Sequence, residues 1–259
     1  MFNCYDLPSI SNTVFQSFKL VWGPIPGLVL FCAMASAQQE GATTIKPAKS
    51  ASLAIAEKAL QWMPESFRRV LSRNMDGLRN GIDEVHGAKF LLASDRLTLE
   101  ENLLQRMAST VNRLQSRPRF SEAAKDFGAL AQMMLLLNLP ENEAGSSDRL
   151  LTFSDVIGRN SEAFRVVVYD AFEIGGNSDE VRTLLETVRQ RRKRLSEPFS
   201  LEATRLATTT IALDPRSPLY GIAALVYSHA INDTARAWLW VWRSANGDMS
   251  GRPSLQAQP

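Results

Sequence analysis

The sequence predicts an all-α protein: one helical domain over 51–247, built from roughly eight to ten helices. Three observations carry that prediction. Apolar side chains recur at three- and four-residue spacing through most of the range. Helix-start and helix-stop residues punctuate it at short intervals, among them Pro64, Thr98 with Glu101, Ser121, Asn177 with Glu180, and Asn246-Gly247. No run alternates apolar and polar residues for long enough to make a strand, and no internal repeat or long linker divides the chain.

Taken in order, residues 38–50 are a polar, flexible lead-in. Leu53, Ala56, Leu60 and Met63 then share one face of a first helix, which Pro64 stops while opening the next. That second helix carries Phe67, Val70 and Leu71, and a further segment ends at Gly81. Thr98 and Glu101 form a capping box ahead of Leu103, Met107, Val111 and Leu114 at core spacing. Ser121 caps a strongly apolar helix to about Leu137, whose Phe127, Leu130, Ala131, Met134 and Leu135 make it central. Helices are expected near Leu150–Ile157 and, despite the β-branched Val166-Val167-Val168, near Glu162–Phe172. Asn177 and Glu180 open a long helix to about Leu195. An alanine-rich helix near Leu201–Ile211 and a long one from about Leu219 to Ala245 complete the domain. Asn246-Gly247 stops the last helix, and the tail over 248–259 is expected to be disordered.

The first 37 residues read as a secretory leader. Lys19 precedes an apolar run from Leu20 to Met34, and Ala35-Ser36-Ala37 offers the small-x-small cleavage pattern, which makes Gln38 the new N-terminus. Pro24 and Pro26 break the run, and it is too short for a comfortable membrane span. The expected location is therefore periplasmic or secreted. Both cysteines, Cys4 and Cys32, fall inside the leader, so the exported chain holds no disulfide and no cysteine-ligated metal. Its stability rests on core burial, for which roughly 220 residues suffice. The net charge of +2 argues against dedicated nucleic-acid binding.

Few residues are candidates for chemistry. The chain has two histidines, His86 and His229. His229 and Asp233 are four apart on the last helix and so face the same way, which suits two ligands of one metal ion or a simple bonded pair. His86, in a loop-like stretch, is the candidate third ligand. The basic run Arg189, Arg191, Arg192, Lys193 and Arg194 reads as the end of a helix, where cations complement the helix dipole. Arg191, Arg192, Lys193 and Arg194 are also candidate contacts to an anion or membrane surface. Trp238, Trp240 and Trp242 crowd the last helix but cannot share one face, so core packing takes some of them and an interface can take another.

The stretch Phe127-Gly128-Ala129-Leu130-Ala131-Gln132-Met133-Met134-Leu135-Leu136-Leu137-Asn138-Leu139-Pro140 resembles the central-helix signature of the zinc-dependent phospholipase C and fungal single-strand nuclease superfamily. Ala59-Leu60-x-x-Met63-Pro64, then Arg73-Asn74, is similar to that family's early helix pair, and Phe164-Arg165-Val166-Val167 to a later helix. The resemblance loosely spans 52–245. It implies a helical bundle built around three zinc ions, held by several histidines, carboxylates and an N-terminal tryptophan. In this chain the central histidine position falls on Gln132 and the aspartate position on Leu136, neither a competent zinc ligand, while Asn138 and Pro140 are kept. The expectation is an exported, non-catalytic relative that binds a protein partner or other ligand and needs no cofactor. One alternative is a phosphoric-ester hydrolase with a reduced zinc site at His229, Asp233 and His86. The other is a membrane-surface protein that meets phospholipid through its tryptophans and basic run.

Overall fold

The computed structural model describes residues 50–86, 96–116, 119–141, 147–168, 178–203, 206 and 213–251. Eight α-helices run in chain order: α1 (Ala51–Leu60), α2 (Glu65–Ser72), α3 (Met75–His86), α4 (Arg96–Ser116), α5 (Phe120–Asn138), α6 (Ser147–Asn160), α7 (Ser178–Glu202) and α8 (Pro218–Ser244). No strand occurs among the described residues, so the all-α expectation holds, in a single compact domain. None of these helices is long and apolar enough to cross a membrane.

Two helices form the centre. In α5, every residue from Ala123 to Asn138 except Lys125 is buried. It packs against α1, α2, α3, α4, α7 and α8. The second is α8, which touches α1, α4, α5, α6 and α7. Their near-continuous apolar sequence is what a helix surrounded by other helices requires. Ser217 caps α8 by accepting from the Tyr220 amide, and Pro218 sits in the first turn, where its missing N–H costs nothing. At the far end Asn246 takes a left-handed φ of 58°. Its amide donates to the Arg243 carbonyl at 2.9 Å, and that of Gly247 to the Trp242 carbonyl at 2.8 Å, the paired bonds of a Schellman stop.

Trp238, fully buried, packs edge-on to Phe127 with ring centres 5.9 Å apart and lies 5.7 Å from Phe67. Its indole N–H donates to the Phe127 carbonyl at 3.1 Å, which satisfies the polar end of a buried ring. Trp242, one turn on, is also buried and stacks edge-on to Phe67 at 5.2 Å. Trp240 points elsewhere and is half-buried.

The structure corrects several expected boundaries. Gly81 does not end a helix: α3 runs through it to His86, which is therefore helical rather than in a loop. A Cβ on Gly81 would lie 1.8 Å from the Lys125 carbonyl oxygen, and one on Gly128 would lie 1.9 Å from that of Leu78. These glycines let α3 and α5 touch backbone to backbone. Helix α4 starts at Arg96, so Thr98 lies inside it, and α5 starts at Phe120 with Arg119, not Ser121, in the cap position. After α6, residues 161–164 turn and 165–168 are non-helical, against the helix expected from Glu162. The Val167 amide donates to Ser228 Oγ at 3.3 Å and its carbonyl accepts from Asn232 Nδ2 at 2.8 Å, so side chains of α8 replace helical bonds there. Helix α7 continues past Leu195 to Glu202, with Pro198 exposed inside it. The basic run is thus mid-helix, and the dipole argument does not apply to it. Residues Asp248–Gly251 are held rather than loose: the Asp248 carbonyl accepts from Ser66 Oγ at 2.8 Å and from the Trp242 indole at 3.0 Å. The leader, the lead-in as far as Lys49, Asn177 and most of the alanine-rich stretch 201–211 lie outside the described residues.

Candidate functional site

The α7–α8 seam brings together four of the sequence's candidates, Arg191, Arg194, His229 and Asp233. His229, Asp233 and Arg236 lie three and four residues apart on α8, and Thr187, Arg191, Arg194 and Leu195 do so on α7, so each set forms one stripe. Thr187, Arg191, Arg194, Leu195, His229 and Arg236 line a cleft of about 470 Å³. Asp233 lies buried beside them with no exposed surface.

Arg191 organises this seam. One of its terminal nitrogens, Nη2, donates to both carboxylate oxygens of Asp233 at 2.8 Å, and the other, Nη1, to His229 Nδ1 at 3.0 Å. Its Nε donates to the Thr187 carbonyl at 3.3 Å. Asn138 Nδ2 donates to Asp233 Oδ2 at 3.0 Å and to the Met134 carbonyl at 3.0 Å. The histidine and aspartate are therefore bridged by a guanidinium that the spacing alone did not reveal. Because Nδ1 accepts, the His229 proton is assigned to Nε2. Burial, with Arg191 alongside, pushes the His229 pKa down to about 4, so the ring is neutral at pH 7. Burial pushes the Asp233 carboxyl up, while Arg191 and Asn138 pull it back.

The remaining members of the basic run diverge. Arg189 donates to Glu100 on α4 and to Glu186. Arg192 is buried and donates through Nε to Glu141 at 2.8 Å. Lys193 and Arg194 are exposed. Arg194 and the half-buried Arg236 have no ion pair among the described residues. Arg236 was missed in the sequence, although it continues the stripe of His229 and Asp233 by one turn.

The degenerate motif positions are packed inside. Gln132 Oε1 accepts from Ser52 Oγ, and the Leu136 side chain is buried. The surroundings of Leu136 are not purely apolar, because the buried Arg96 donates through Nη1 to the Leu136 carbonyl. Among the described residues no three His, Cys, Asp or Glu side chains gather as metal ligands. Arg191 already holds both oxygens of Asp233 and the Nδ1 of His229, atoms that a zinc ion would need. His86 closes α3, and its side chain lies outside the described set.

A larger cleft, about 650 Å³, opens between α3, α4 and α5 beside Glu84, Arg106, Arg113, Lys125 and Asp126. Its charges pair with one another: Asp126 with Arg106 and Arg113, Glu84 with Arg106 and Lys125. In the α7–α8 cleft, by contrast, Arg194 and Arg236 form no ion pair among the described residues, although Arg236 still acts on Asp233 through space. Comparison with protein-family models, curated proteins and solved structures finds no match, so the site stands on its own geometry.

Proposed function

We propose that this chain is an exported, non-catalytic binding protein that takes an anionic ligand in the α7–α8 cleft. The observation that carries the reading is the charge arrangement. The charge of Arg191 is met by Asp233, whereas Arg194 and Arg236 border the cleft without an ion pair among the described residues. Two guanidiniums across a partly apolar cleft suit a phosphate or carboxylate, which each can bind through paired N–H donors. Leu195 and the stems of the arginines offer apolar surface beside that charge. Catalysis is disfavoured for a chemical reason. The lone pair at His229 Nδ1 is engaged by Arg191, and Asp233 is held from two sides, so neither is poised to take a proton from water.

The test is equilibrium binding of glycerol 3-phosphate by calorimetry, beside flotation with phosphatidylglycerol and phosphatidylcholine vesicles. The expected result is glycerol 3-phosphate or phosphatidylglycerol binding, weakened at least about tenfold in Arg194→Glu/Arg236→Glu. Calorimetric binding supports a free phosphate ester, and flotation alone a lipid headgroup. Binding unchanged in the variant, or absent in the wild type, overturns the reading. Stoichiometric zinc together with phosphodiester turnover would replace it with the hydrolase alternative.

A further inference from the structure

The α7–α8 seam continues past the basic cleft. Arg191 meets His229 and Asp233, while Glu180, Val181 and Leu184 lie with Arg236 and Trp240, so the two helices run antiparallel. Along that seam a second cavity of about 190 Å³ opens, lined by Met107 of α4, Val181, Thr183 and Leu184 of α7, and Arg236 and Trp240 of α8. Arg236 lines both cavities, so its guanidinium stands where they adjoin.

The two cavities differ in chemistry. The first carries Arg194 and Arg236. The second is apolar in its buried lining: Met107, Val181 and Leu184 are each buried, and the half-buried Trp240 adds the largest apolar surface. Asp179 and Glu180, in the first turn of α7, also border it. Their charge complements the helix dipole and rejects an anion from this chamber. An oxyanion is therefore directed to the basic side of Arg236, and the space on the other side suits a group without charge. A dry cavity of about 150 Å³ admits benzene, so about 190 Å³ holds a short chain and not the two chains of a bilayer lipid.

We propose that the ligand of the α7–α8 cleft is a single-tailed anionic amphiphile taken from solution, with its oxyanion head on Arg194 and Arg236 and a short alkyl chain in the Trp240 chamber. This rests on the cleft reading and names the ligand class of that site. The head is held by paired N–H donors, and the tail adds affinity by leaving water.

The experiment is calorimetric titration of the full chain with glycerol 3-phosphate, ethyl phosphate and hexyl phosphate. Each methylene buried strengthens binding by up to about fourfold, so hexyl phosphate is expected to bind at least about tenfold more tightly than ethyl phosphate. Thr183 lines the chamber from an exposed position on α7. Thr183→Trp fills the space and is expected to remove the gain from the chain, while glycerol 3-phosphate, which has no tail, still binds. Should that variant not fold, hexyl phosphate brominated at the chain end is expected to quench the tryptophan fluorescence of the wild type, and Trp240→Phe to lose most of that quenching. A chain-length gain that survives in Thr183→Trp, or quenching unchanged in Trp240→Phe, overturns the proposal. Binding of glycerol 3-phosphate or phosphatidylglycerol vesicles with no gain from the chain also overturns it and leaves the cleft reading standing. If none of these ligands binds, the cleft reading falls as well.

Discussion

At His229 burial, and after it Arg191 donating to Nδ1, keep the ring neutral. The folded chain holds His229 neutral down to about pH 4, whereas the unfolded chain protonates it near 6.5. Between those values the unfolded state binds more protons, so this residue lowers stability as the pH falls from 6.5 toward 4. Solvent access to the half-buried ring limits the effect to about 2 kcal/mol. Asp233 works in the opposite sense, since its raised carboxyl lets the folded state take a proton first as pH falls. Comparing wild type with His229→Gln isolates the ring. Urea unfolding at pH 7, 6 and 5 is expected to show a smaller loss of stability on acidification in the variant. Parallel profiles would mean that the ring is protonated in the folded state, and that Arg191 does not hold it neutral.

Among the elements, α3 and α5 depend most sharply on single atoms. Gly81 and Gly128 each meet a carbonyl of the opposite helix closer than a side chain allows. A methyl at either position forces the helices apart and strips contacts from Leu78, Ile82 and Phe127 in the core. Gly81→Ala and Gly128→Ala should each destabilise the chain by about 3 kcal/mol or more, read from chemical denaturation. Gly221, also helical, has open space where a Cβ would go. Gly221→Ala should therefore stabilise by about 0.5–1 kcal/mol, because it removes backbone freedom from the unfolded chain without a clash. Equal effects at all three positions would refute the close crossing.

For the whole molecule, the core runs from Ala51 to Trp242 and draws on every helix. The proposed leader lies wholly before it. Export is the whole-molecule proposal: Ala35-Ser36-Ala37 follows the apolar run at the distance a signal peptidase requires. N-terminal sequencing of protein recovered outside the cytoplasm is expected to begin at Gln38. Cytoplasmic protein with Met1 intact would remove both the leader and the assigned location.

What the residues determine locally was legible in the sequence. The apolar density of 123–138 marks α5 as central and Asn246-Gly247 closes α8, because capping and periodicity act within a few residues along the chain. Only the tertiary structure decided the rest. A glycine that reads as a helix stop at 81 is a spacer, since the reason for it is a carbonyl on another helix. Val166–Val168 leave the helix because Ser228 and Asn232 of α8 supply the bonds. His229 and Asp233 look like a ligand pair until Arg191 reaches them from 38 and 42 residues away, and Arg189 finds Glu100 across 89. Charge pairing depends on distance in space. A run such as Arg189–Arg194 shows that cations are present, but the packing of α7 alone decides which are neutralised, which are buried and which remain for a ligand.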